Sequence, residues 1–290
     1  MLSSRILCVG AAHWDLIARS ESALRVGDDV PGRITSRPGG VAMNVALGLS
    51  AQGVKARLCS VIGDDDAGMS LIRHATAAGV DCGSVVRIKG ANTNRYMAIE
   101  NGEGELFAAV ADTGLLEAHS SHVADEVTRA LEEVDTLFVE ANLPETEIER
   151  ITSRAAACGV EIVANPVSPT KAQRLSALLS QKCAPTIIAN LEEVNALLKS
   201  AVDNASDAAV AILANGAGSA LITNGARRAT LATQAGLVTS APFELERDAS
   251  VTGAGDALLA AFLAFPDRQG DPRAALAAAL RAAAKHMETA

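Results

Sequence analysis

Aromatic side chains make up only 2% of this 290-residue chain, with one Trp and one Tyr. So sparse a set speaks against the stacking platforms that hold single-stranded nucleic acids. Excess positive charge is missing too. The formal net charge is -9 and no basic stripe offsets it, so a nucleic-acid backbone is not an expected partner. That balance still admits a phosphate-bearing small ligand, which backbone N–H groups and helix dipoles can hold. The five cysteines, Cys8, Cys59, Cys82, Cys158 and Cys183, form no CxxC or Cys/His cluster, which argues against a disulfide framework or a structural zinc site. No charge-free apolar stretch of about 18 residues occurs, so a membrane span is not expected. The opening "MLSSRILCVGAAHWD" has one basic residue and a short apolar run, and it reads as a strand rather than a signal peptide. A cytoplasmic globular protein with no membrane or nucleic-acid partner is the expectation.

What is present is a rhythm. "RILCVGAA" is a short apolar run ending in small residues, as a buried strand does on entering a turn. In "PGGVAMNVALGLSAQG", Val41, Val45 and Leu49 recur at helical spacing and Gly53 is a terminator. "KARLCSVIG" predicts a strand, and "DDDAGMSLIRHATAAGV" a helix whose opening acids suit the positive end of its dipole. After Asp112 the alternation resumes through "DTLFVEANL", "EIVANPVS", "PTIIANLEE" and "SALITNG". Such alternation predicts an α/β fold with a parallel sheet covered on both faces. The rhythm breaks at 16–37, which lacks helical period, and again at about 92–112. There "TNRYMAIENGEGELFAAVAD" alternates like an antiparallel hairpin with "NGEG" as its turn. The two excursions are expected to pair into a small separate sheet within a single domain spanning 1–290.

The stretch "SVTGAGDALLAAF", Ser250–Phe262, puts three small residues and one carboxylate before a helix with an apolar start. Thr252 or Asp256 offers a cap. A cap alone does not need Gly-Ala-Gly, because glycine adds freedom that folding must remove. At a loop-to-helix junction the N–H groups of Gly253, Ala254 and Gly255 lack intrahelical partners, and small side chains let an anion approach. Asp256 would then act as a base, taking the proton of an attacking hydroxyl while the amides stabilise a transferred phosphoryl group. A tight turn capped by Asp fits the same letters, and both readings stay open.

No GxxxxGK[ST] pattern occurs. "GAGSAL", which holds Gly216 and Gly218, is a glycine turn before a strand. "NLEE" makes Asn190 and Glu193 a capping box, and a carboxylate there also suits magnesium-bound phosphate through water. Asp15 closes "GAAHWD", and Gly39 and Gly40 precede a helix with Asn44 one turn inside. Short, rigid hydrogen-bonding groups of this kind suit a polyhydroxylated ligand. A plain turn with Asn44 on a helix surface is the alternative. His13 and Trp14 stand beside Asp15, while Arg95 and Tyr96 lie in the β excursion and face either solvent or ligand. Asp64–Asp66 looks like a metal cluster, but consecutive side chains at a helix start diverge, so a solvated cap is expected.

Taken together and in order, "GAAHWD", "RPGGVAMNVA", "VIGDDDAG", "NTNRYMAI…GEGEL", "NLEE" and "VTGAGDALLAAF" resemble the ribokinase-like (PfkB) family of carbohydrate and nucleoside kinases. The resemblance implies a three-layer sandwich with a parallel-type central sheet and a small β lid, here from about 16–37 and 92–112. It implies transfer of the γ-phosphoryl of ATP, with Mg2+, to a sugar hydroxyl. Asp256 matches the family's base, and Gly253, Ala254 and Gly255 its anion hole. Asp15, Gly39, Gly40 and Asn44 match sugar-hydroxyl binders. Asn190 and Glu193 match the motif tied to magnesium and phosphate, and Gly216, with Gly218 beside it, a nucleotide-loop glycine. Within the family the lid hairpin, "NPVS" and Asn142 in "VEANLPE" are similar to pseudouridine kinases. That likeness implies a nucleoside substrate phosphorylated at its 5′-hydroxyl, with Asn92, Thr93 and Arg95 supplying polar groups for the base. A free-sugar kinase of ribokinase or fructokinase type, and a non-catalytic sugar- or nucleoside-binding protein, are the alternatives. Ser250 stands where the family often has an Asp that helps hold a monovalent cation. Ala214 replaces a common Thr, and "RAAAKHMETA" stops short of the usual final segment. The open edges of a lid sheet also offer a homodimer contact.

Overall fold

The computed structural model describes residues 5–181, 183–242 and 253–289; Ser250 and Thr252 lie outside them. In chain order the first elements are β1 (Arg5–Val9), β2 (His13–Ser20), β3 (Gly32–Gly39), α1 (Val41–Ala51), β4 (Lys55–Cys59), β5 (Val61–Gly63), α2 (Asp66–Ala77) and β6 (Val86–Ile88). Then come β7 (Arg95–Glu100), β8 (Leu106–Asp112), α3 (Leu115–Ala118), α4 (Ser120–Ala130), β9 (Thr136–Glu140), α5 (Glu145–Ala157), β10 (Glu161–Asn165) and α6 (Ser176–Ser180). The last are β11 (Thr186–Asn190), α7 (Leu191–Leu198), α8 (Ala205–Ala214), β12 (Ser219–Thr223), β13 (Ala229–Thr233), β14 (Gly236–Ser240), α9 (Ala254–Ala264) and α10 (Pro272–Thr289).

The main sheet runs β14-β13-β12-β11-β10-β9-β1-β4. From β4 to β12 neighbouring strands are parallel, and β13 and β14 add antiparallel at one edge. The period of two decides which core each side chain enters. On β1, Leu7 and Val9 join the core shared with α4, α5, α7 and α8. Ile6 and Cys8 join the opposite core, with α1, α2, α9 and α10. The three layers follow directly from that alternation. Among the described residues no helix is long and apolar enough to cross a membrane.

Residues 13–39 and 95–112 form the second sheet, ordered β3-β2-β7-β8. Its strands reach beyond the expected 16–37 segment, because His13 pairs with Gly39 and carries the β2–β3 ladder to the rim of the main sheet. The 101–104 turn joins β7 to β8. Asp15 stands opposite both Arg37 and Tyr96, so one face of this sheet looks onto the carboxyl edge of the main one.

Candidate active site

In an open parallel sheet, ligands bind outside the carboxyl ends of the strands. Two cavities lie there. One, of about 200 Å³, is lined by Asn165, Val167, Asn190, Glu193, Thr223, Gly253, Gly255 and Asp256 among others. The second, of about 470 Å³, is lined by His13, Gly40, Asn44, Tyr96, Asn142, Lys171 and Asp256 among others. Asp256, Val41 and Val167 belong to both linings. The carboxylate therefore sits at the junction.

Local structure explains the placement. Gly253 is the N-cap of α9, with φ +85° and no side-chain cap bond, so Asp256 lies within the first turn rather than at the cap. A Cβ on Gly253 would meet His286 Nε2 at 2.7 Å, whereas nothing lies within 4 Å of the same position on Gly255. That open side lets an anion reach the helix N-terminus. Asp256, three residues past the cap, accepts a 2.8 Å hydrogen bond from Asn44 Nδ2. Burial drives its pKa up to about 6; Asn44 and His286 oppose that rise, and the charge of Asp15 adds to it. A carboxylate with that value is ionised at neutral pH yet basic enough to accept a proton.

The two glycines before α1 are required sterically. A side chain on Gly39 would strike the Asp15 carboxylate, and one on Gly40, at φ +94°, would strike the Ala11 carbonyl. Asp15 itself bonds His13 Nε2 at 3.1 Å and lies 3.7 Å from Arg37 Nε. Asn190 and Glu193 form the capping box of α7, each side chain bonding the other's backbone N–H at 2.9 Å. Glu193 also lines the smaller cavity. Its pKa is raised by burial and by the charges of Glu192 and Asp256, against the Asn190 N–H.

Several residues singled out from sequence do not meet at this junction. Thr93 is buried and structural: its hydroxyl accepts from Gly63 N at 3.0 Å and donates to the Asp65 carboxylate, which caps α2. Asn92 and Arg95 are exposed, and Arg95 reaches Asp65 at 3.9 Å. None of the three lines either cavity. Gly216, at φ +111°, packs against the Leu179 carbonyl and Gly218 against Ala184, both outside the two linings. Ala254 opens α9 without lining either cavity. Conversely, the sequence reading did not single out Lys171 or Glu140, and it touched Val167 only as part of "NPVS". A carboxylate ending the apolar run "DTLFVE" was the available signal for Glu140.

Glu140 is fully buried. It accepts hydrogen bonds from Ala11 N and, at 2.6 Å, from Asn142 N. Burial pushes its pKa up, against those bonds and the Lys171 charge. It ties the loop after β1 to the loop after β9, both of which line the larger cavity.

The sequence pattern of the pfkB family carbohydrate kinase matches residues 3–289. The pseudouridine kinase of Escherichia coli (strain K12) is 28% identical over 176 residues, 61% of this chain and 56% of that protein. An ATP-dependent ribose-1-phosphate kinase of Halopiger xanaduensis is 27% identical over 278 residues, 94% of this chain and 88% of the relative. A solved carbohydrate kinase from Agrobacterium tumefaciens superposes with a TM-score of 0.84 at 28% identity, covering 97% of this chain and 90% of its own. The chain thus matches about half the length of the pseudouridine kinase but nearly all of the other two. With the family pattern running from residue 3 to residue 289, through both layers of helices, this chain belongs to the pfkB family of carbohydrate kinases.

Proposed function

We propose that the protein transfers the γ-phosphoryl group of ATP to the 5′-hydroxyl of a ribosyl nucleoside, pseudouridine being the first candidate. The observation that carries this reading is Asp256 at the junction of two cavities. The larger cavity would take the nucleoside and the smaller the phosphates. The substrate hydroxyl oxygen attacks the γ-phosphorus, its proton passes to Asp256, and the bond to the leaving ADP oxygen breaks. The N–H groups at the start of α9 stabilise the equatorial oxygens of the phosphoryl group in transit.

The donor set also fits Mg2+. The capping box engages Oε2 of Glu193, leaving Oε1 as the oxygen for a hard cation or its water shell. The charge of Asp256, which helps raise the Glu193 pKa, is what a bound divalent cation would offset. Its chemistry there is to neutralise charge on the phosphate oxygens. Homodimer formation through the small sheet belongs to the same reading: Ile34 is 74% exposed and Val110 69%. Sedimentation should give a dimer that Val110→Lys splits into monomers, and an unsplit or monomeric wild type would remove that element.

A second reading has its own support. The ribose-1-phosphate kinase covers 94% of this chain, against 61% for the pseudouridine kinase. The decisive experiment is ADP release from ATP and Mg2+ with pseudouridine, uridine, ribose, ribose 1-phosphate and fructose side by side. Selective turnover of pseudouridine supports the proposal. Turnover of a sugar or sugar phosphate alone keeps the kinase and replaces the substrate. Binding without ADP formation removes the enzyme.

A further inference from the structure

We infer that Lys171 and Asn142 form the wall that reads the part of the substrate remote from the reacting hydroxyl, and that this wall is built for an uncharged carbonyl edge. The inference deepens the nucleoside reading above and rests on it. The larger cavity, at about 470 Å³, lies in the range that holds drug-sized ligands, about 300–1,000 Å³. Asp256, Asn44 and Gly40 contribute to it from α1 and α9, on one side of the main sheet. Lys171, Asn142 and Glu117 contribute from segments that pack on the other side. A ligand that offers its hydroxyl to Asp256 turns its far end toward them.

The chemistry of that wall is specific. Lys171 Nζ donates to Asn142 Oδ1. The Asn142 amide also hydrogen-bonds the Glu140 carboxylate, so the remaining ammonium hydrogens of Lys171 are the donors this wall offers a ligand. The wall is nevertheless not an anion site, because its charges cancel. Lys171 faces the buried carboxylate of Glu140. Arg174, the next cation, donates to Glu117 at 3.0 Å and to the Asn142 carbonyl at 3.1 Å. A phosphate would meet two cations already matched by two carboxylates. A nucleobase carbonyl asks only for a donor, and its neighbouring imide N–H finds an acceptor in Glu117.

Backbone strain adds independent weight. Val167 adopts φ +67°, an outlier for a β-branched residue. The Asn165 side chain enforces it, accepting from Val167 N at 2.9 Å and donating to the Ile188 carbonyl at 2.8 Å. Strain of this sort persists where surrounding structure over-determines it and clusters at ligand clamps. Here it turns the segment so that Val167 lines both cavities and Lys171 reaches the larger one.

The test is calorimetric binding of pseudouridine, ribose and ribose 1-phosphate to wild type and Lys171→Met. A hydrogen bond from a charged donor is worth about 1.5–3 kcal/mol, so the ratio of pseudouridine to ribose affinity should fall roughly 10–100-fold in the variant. Lys171→Gln, which retains an uncharged donor, should recover part of that ratio and stands in if the Met variant does not fold. A purely structural role for Lys171 would weaken both ligands equally, leave the ratio unchanged and overturn the inference. Preference of wild type for ribose 1-phosphate, lost in the variant, would overturn the uncharged-edge claim. A wild type that binds ribose but no nucleoside sinks the underlying substrate reading, which separates the two failures.

Discussion

Asp256→Asn should make the protein more stable while removing most of its turnover. Burial carries the Asp256 carboxyl from 3.8 to about 6, so its ionised form costs the folded state about 3 kcal/mol, at roughly 1.4 kcal/mol per pH unit. The sign follows from linkage. The folded pKa is raised, so the folded state binds the extra proton between the two values, and stability falls as pH rises from about 4 to about 6. Above that window the full cost is present. Asn keeps an oxygen for Asn44 Nδ2 but carries no charge, and at pH 8 it should gain up to about 3 kcal/mol. The gain should roughly halve by pH 5, where the folded wild-type carboxyl is already mostly protonated. Urea denaturation at pH 8 and pH 5 reads the difference, and ADP release reads the loss, about 10²–10⁴-fold for a general base. An Asn variant that is less stable at pH 8, or whose stability difference ignores pH, would refute the claim that burial of a charge governs this residue. Unchanged turnover would refute its role as base.

Three further outcomes follow from the same geometry. Gly255→Ala meets nothing within 4 Å and should stabilise α9 by up to about 1 kcal/mol, yet its methyl group enters the smaller cavity. Thermal melts should rise while kcat falls, and unaltered kcat would exclude the start of α9 as an anion site. Asn44→Leu deletes the bond that holds the Asp256 pKa down. The acid limb of kcat/KM should therefore move to higher pH, and a limb that stays put would mean that another group titrates. Thr93→Val leaves Gly63 N–H and the Asp65 carboxylate each short of a partner. It should cost about 1–3 kcal/mol in denaturation with KM for substrate within about twofold of wild type, whereas a large KM change in a stable variant would restore Thr93 as a substrate contact.

The sequence by itself determined what depends on neighbours along the chain. Apolar runs of strand length alternating with helical periods led to a parallel sheet with helices on both faces, because a strand buried on both sides has no polar face to display. The capping box of Asn190 and Glu193 was readable for the same local reason. So were the small residues before Asp256, since a helix N-terminus exposes its N–H groups whatever packs behind it. What only the tertiary structure decided lies between segments distant in sequence. Asn44 and Asp256, 212 positions apart, bond each other, and the burial that raises the Asp256 pKa comes from helices no local pattern brings together. Thr93 shows the opposite case. A polar residue beside a strand looked ligand-facing, but the approach of Asp65, 28 positions earlier, makes it part of the frame. Lys171 was silent in the sequence because a single charged letter has no periodicity, and Glu140 was marked only as the carboxylate that ends an apolar run. They come together only once β1, β9 and the strained turn at Val167 converge on one edge of the sheet, where burial raises the Glu140 pKa and the Lys171 charge opposes that rise.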